Sequence, residues 1–230
     1  QPITSSVVAR FSPDGKRVVW TGPNNTLEVL DVEFRHETTL LVGHDDQVTV
    51  AKFSPDGRTI FSGSEDGALK LWDARNGQVQ KTVVGHSDMI VGLAINPSAT
   101  RIVSCGLKSG GKLWDVETGV ELKHLSSAID TVFEFSPDGT KFVTGNTDNS
   151  VTLWDSETGQ QRYNFSGHEA DIYSASFTPD GQRLITSDGG GTFKLWDIGT
   201  GRELKTLNAH SDFVYQVRIN SESTCLVSAS

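Results

Sequence analysis

Residues 43–81 read GHDDQVTVAKFSPDGRTIFSGSEDGALKLWDARNGQVQK, and three turn signals divide them into four short strands. Gln47 to Phe53 is an apolar run of β-branched character, closed by Pro55-Asp56-Gly57, in which proline sets φ and glycine takes the left-handed position. Arg58 to Ser64 is the next strand. Glu65-Asp66-Gly67 turns the chain again, and Ala68 to Trp72 alternates, with Leu69 and Leu71 on one face and Lys70 and Trp72 on the other. Arg75-Asn76-Gly77 makes the third turn, and Gln78 to Val83 then alternates polar and apolar, as an outer strand with one wetter face does.

The same markers recur in phase. Gly43-His44 leads to Trp72-Asp73, Gly85-His86 to Trp114-Asp115 and Gly167-His168 to Trp196-Asp197, each tryptophan 28 residues after its histidine. Phe11 to Gly15, Phe53 to Gly57, Phe135 to Gly139 and Phe177 to Gly181 mark one turn, with repeat steps of 42 or 40 residues. Thr118-Gly119, Thr158-Gly159 and Thr200-Gly201 mark another, with glycine where a positive φ is required. A period of this length reads as one four-stranded propeller blade per repeat. Counting from about Ser6 gives five units of four strands and a remainder, Phe213 to Ser230, with two. In that remainder Ser221 to Thr224 replaces the Pro-Asp-Gly turn.

The 230 residues, 36% of them apolar, can bury a large core, and the repeat makes residues 1–230 a single domain of small successive cores. A net charge of -9 and the absence of any Lys/Arg run exclude nucleic acid and anionic membrane as general partners. Cys105 and Cys225 fall at different repeat phases and form no disulfide framework, which suits a reduced, cytoplasmic compartment. No apolar stretch approaches the ~18 residues of a membrane span. Gln1 opens within a repeat, so the expectation is a piece of a larger protein, with a bacterial scaffolding or signalling protein as the favoured source.

On these GH, WD and Phe-Ser-Pro-Asp-Gly series the chain resembles the WD40 repeat family over essentially its whole length. The resemblance implies an all-β ring of blades around a central channel. Here it would comprise five four-stranded blades and a two-strand partial sixth, the ring left incomplete. The missing blades would come from the parent chain or from self-association. It also implies a hydrogen-bonded tetrad in each blade, complete only as His44, Ser62, Asp66 and Trp72. The third repeat has His86, Ser104 and Trp114, but Lys108 where the aspartate belongs. The fifth has His168, Thr186 and Trp196, but Gly190, with Asp188 two places early. The fourth keeps Thr144, Asp148 and Trp154 and lacks the histidine, two residues being absent between His124 and Ala128. In the first, Leu30, Trp20 and Asn24 stand for the tryptophan, the serine and the aspartate.

Ser62, His44 and Asp66 have the composition of a hydrolase triad, but the set recurs in degraded form around the array, which is the behaviour of a structural element. His44, His86, His168 and His210 share one repeat phase without local chelating spacing, so no metal or other cofactor is expected. Asp188-Gly189-Gly190-Gly191 lies between strands and reads as a turn, not a phosphate cradle. The sequence therefore points away from an enzyme and towards a non-catalytic scaffold for a protein or peptide. The alternatives are a sensor module of a larger signalling protein and a propeller-fold hydrolase. Three places after the GH histidine the repeats differ most: Gln47, Met89, Ile129, Asp171 and Phe213. By resemblance these face the narrow end of the ring with Leu107 and Lys108, and Tyr173 and Tyr215 line the channel mouth nearby. A partner-contact patch and simple packing between blades both remain open for these side chains.

Overall fold

The computed structural model describes residues 9–33, 38–126, 128–208, 216–219 and 226–229. The regular elements there are all strands. The first sheet holds β1 (Ala9–Phe11), β2 (Arg17–Thr21), β3 (Leu27–Asp31) and β4 (Thr38–Leu41). The second holds β5 (Val48–Phe53), β6 (Thr59–Ser64), β7 (Ala68–Asp73) and β8 (Val79–Val84), and the third β9 (Ile90–Ile95), β10 (Arg101–Gly106), β11 (Gly110–Asp115) and β12 (Glu121–Ser126). The fourth comprises β13 (Ile129–Phe135), β14 (Lys141–Asn146), β15 (Val151–Asp155) and β16 (Gln161–Phe165). The fifth comprises β17 (Ile172–Phe177), β18 (Arg183–Asp188), β19 (Thr192–Asp197) and β20 (Glu203–Asn208), and a last pair is β21 (Gln216–Ile219) with β22 (Leu226–Ala229). Every sheet is an antiparallel meander in chain order.

Local chemistry sets the turns. In four units the hydroxyl of Ser12, Ser54, Ser136 or Thr178 donates to the aspartate two residues on, at 2.5 to 2.6 Å. The same carboxylate accepts the N–H two residues further. The hydroxyl bond is the main cause holding Asp14, Asp56 and Asp180 below the usual carboxylate range. The third unit does this differently. Asn96 Oδ1 accepts the N–H groups of Thr100 and Arg101, and Ala99 takes the left-handed position at φ 54° that glycine fills elsewhere, a conformation costing about 1 to 2 kcal/mol.

The first strand of each unit lies innermost, and β1, β5, β9, β13, β17 and β21 follow one another side by side. The core sits between sheets. Val103 and Leu113 of the third sheet pack with Phe135, Phe142 and Trp154 of the fourth, and Val143 and Leu153 of the fourth with Phe177, Leu184 and Trp196 of the fifth. Trp72, Trp114, Trp154 and Trp196 each pack back on the preceding blade, which couples neighbours and makes the array nearly one-dimensional. The ring does not close among the described residues: the first and last sheets make no extensive contact. Phe11 is 68% exposed, whereas its counterparts Phe53, Phe135 and Phe177 are buried beneath a preceding blade.

Candidate functional site

In the second blade Trp72 Nε1–H donates to Ser62 Oγ at 2.8 Å, Ser62 Oγ lies 2.7 Å from His44 Nε2, and His44 Nδ1 lies 2.8 Å from Asp66 Oδ2. The ends of this chain fix its direction. An indole N–H can only donate and a carboxylate can only accept, so the serine hydroxyl donates to Nε2 and the imidazole carries its proton on Nδ1. Burial is the largest influence on His44 and lowers its pKa, with Asp66 opposing; the ring stays neutral.

The fifth blade completes the same chain with Trp196, Thr186, His168 and Asp188, the last contact being 2.7 Å. Asp188 is the final residue of β18, and from there its carboxylate reaches the histidine from two positions earlier in sequence. The third blade inserts a hydroxyl. His86 Nδ1 lies 2.8 Å from Ser109 Oγ, which donates to Asp88 Oδ1 at 2.7 Å, and Asp88 Oδ2 accepts the N–H groups of Lys108 and Ser109. Asp88 and Ser109 were not singled out from sequence. The legible signal was a carboxylate two residues after the histidine, opposite a turn with Lys108 in the aspartate's place and a serine beside it.

In the fourth blade Trp154 donates to Thr144 Oγ1 at 2.9 Å, while Asp148 turns to the N–H and hydroxyl of Ser150. In the first, Asn24 and Asn25 both take positive φ to build the turn, and Asn25 Nδ2 donates to the Asp45 carbonyl of the next blade.

These geometries bear directly on stability. Asp66→Ala and Asp88→Ala should each cost about 1 to 3 kcal/mol, because each strands a buried donor chain. Lys108→Ala should stay within about 0.5 kcal/mol, since only its backbone N–H is engaged. Urea midpoints of the three variants check this, and equal losses would refute it.

None of this is reactive chemistry. Ser62 is fully buried and its oxygen is engaged by both Trp72 and His44, so no substrate reaches it. The triple-glycine turn spends its N–H groups inside the protein, Gly189 on the Asp171 carbonyl and Gly190 and Gly191 on Asp188. Among the described residues no three His, Cys, Asp or Glu side chains gather where they could hold a metal ion.

One end of the array collects the variable positions. The Glu65 N–H donates to the Gln47 carbonyl, Leu107 N–H to Met89, Thr147 N–H to Ala128 and Gly189 N–H to Asp171. Each bond ties the entry of an innermost strand to the turn between the second and third strands of its blade. Leu107 is 56% exposed and Tyr173 41%; Lys108 and Asp171 are exposed, and Gln47 and Met89 half-buried. Phe213 and Tyr215 lie outside the described residues. Ile129 is not on this surface. It is 2% exposed and pairs with Asn146, as Val48 pairs with Ser64 and Ile172 with Asp188. The shortened connection after His124 moves the register by one, so Ala128 occupies the loop position and Ile129 begins the core strand. Asp130 sits above the usual carboxylate range, first through desolvation and then through the charges of Asp171 and Asp148.

No curated protein matches the chain. The family model described as "WD domain, G-beta repeat" does, over residues 35–73, 77–115, 120–155, 159–197 and 201–230. Those five matched segments run through the interlocked sheets and their Trp-Asp strands, and they cover well over half of the sequence: the chain belongs to the WD40 repeat family.

Proposed function

We propose that this chain is a non-catalytic, cytoplasmic interaction module that offers the loop end bearing Gln47, Met89, Leu107, Lys108, Asp171 and Tyr173 to a protein or peptide partner. WD40 folds generally mediate protein interactions, and the blades carry those loops on a packed, hydrogen-bonded frame. The observation that carries the reading is Leu107. It projects 56% exposed from a turn whose backbone is pinned to the half-buried Met89, and Tyr173, 41% exposed, stands at the same end, so the variable loop end collects apolar side chains. Removing an exposed apolar side chain from such a turn leaves the core untouched. The variant Leu107→Ala should therefore weaken capture of the proteins bound by the wild type while keeping the wild-type unfolding midpoint. Undiminished capture would overturn the assignment of this end.

A further inference from the structure

Charge is distributed unevenly between the two ends of the blades. At the proline-turn end carboxylates meet cations of their own blade, Arg101 with Asp115 at 2.6 Å and Arg162 with Asp155 at 2.7 Å. The opposite end, which bears Leu107, is acidic. Among the described residues its strand entries and turns carry one lysine, Lys108, and no arginine. Asp66, Asp88 and Asp188 are spent there inside the blades, on His44, Ser109 and His168. Asp45, Glu65, Asp130, Glu169 and Asp171 are exposed, and none of them stands in an ion pair with a described residue.

Asp130 shows that this excess does not serve the fold. Its position in β13 is that of Thr49 in β5, whose hydroxyl lies within hydrogen-bonding distance of the Gly63 carbonyl of its own blade and the Ile90 carbonyl of the next. An ionised carboxylate only accepts, so Asp130 cannot make that bridge. Desolvation, and after it the charges of Asp171 and Asp148, raise its pKa. The buried Cys105 thiol is pushed up to about 12, first by burial and then by Asp130 and Asp88. Two groups thus register negative charge gathered at one end. Like charges held together repel, and a cation brought by a partner relieves them.

Leu107 and the half-buried Met89 add apolar surface to the same end. An acidic partner would be repelled from it. A purely apolar partner would desolvate the carboxylates without pairing them. A partner with both an apolar anchor and cations meets both demands.

We propose that the partner of the loop end is a basic peptide segment in which lysine or arginine side chains flank an apolar residue. The cations face Asp130, Asp171 and Glu65, and the apolar residue packs on Leu107 and Met89. The assignment rests on the loop end being the contact surface and adds the partner's chemistry to it.

Selection from a random-peptide display library on the whole chain, followed by fluorescence anisotropy with the tightest peptide, tests the assignment. The enriched peptides should carry net positive charge, with an apolar residue among the cations. The tightest should bind the double variant Asp130→Asn, Asp171→Asn at least about fivefold more weakly than wild type, with no fall in the unfolding midpoint. Raising salt from about 50 to 500 mM should weaken it similarly, because screening shortens the reach of these charges. Glu157→Gln removes an exposed carboxylate at the proline-turn end and should leave binding unchanged. Enriched peptides that are neutral or acidic, yet lost by Leu107→Ala, would overturn the basic partner and leave the loop end standing. Basic peptides that bind Leu107→Ala and the double variant as tightly as wild type would place the contact elsewhere and overturn both readings. No enrichment over a blank surface would also overturn the assignment.

Discussion

Ile129→Ala lowers the unfolding free energy by about 2 to 5 kcal/mol, the range for truncating a buried aliphatic side chain whose cavity cannot fully collapse. Ile129 packs with Val103 and Leu113 of the third blade and with Phe135, Phe142 and Trp154 of its own. Its carbonyl also accepts a weak hydrogen bond from the Cys105 thiol at 3.2 Å. Truncation therefore loosens the seam between two blades. Denaturant unfolding measures the loss, and the contrast with Leu107→Ala is the informative part. The two residues look alike in sequence, but only one should change stability. A midpoint for Ile129→Ala within error of wild type would contradict the buried placement.

Acidification from pH 7 to pH 4 removes on the order of 3 kcal/mol through His86 alone. Its pKa is lowered from 6.5 to about 4, chiefly by burial and then by the neighbouring Lys112 ammonium. Between those two values the unfolded chain binds more protons than the folded one, so stability falls as pH falls. The contribution is whole above pH 6.5 and is lost progressively down to about 4. His44 and His168 shift in the same direction, but each has a carboxylate on Nδ1 that opposes burial, whereas Nδ1 of His86 meets the Ser109 hydroxyl. Urea unfolding across pH 5 to 7 should give a shallower pH slope for His86→Gln than for wild type. Identical slopes would show that His86 titrates normally in the folded state.

Most of the fold was legible because its determinants are local. Pro-Asp-Gly and Thr-Gly turns need particular φ values, and the alternation between them assigns each face within a few residues of chain. The 28-residue spacing of histidine and tryptophan likewise reflects a strand length that hardly varies. The loop surface was legible in part. Its positions follow from the repeat phase at Gln47, Met89 and Asp171, but the phase fails in the fourth unit, where a shortened connection and an extra residue in β13 displace the count.

By itself the sequence determined the all-β repeat, the four-stranded unit, its turns, the family and the net negative charge. Each depends on spacing along the chain or on total charge. Only the tertiary structure decided which carboxylate serves each histidine, because Asp88 and Asp188 arrive from different sequence positions at one point in space and a hydrogen bond depends on distance, not on offset. It likewise decided that Ile129 is core while Leu107 is surface, since burial is set by the neighbouring blade. It also decided that β13 carries an extra residue, Phe133 and Glu134 together facing Val143, because such a bulge shows itself only when two strands are laid side by side.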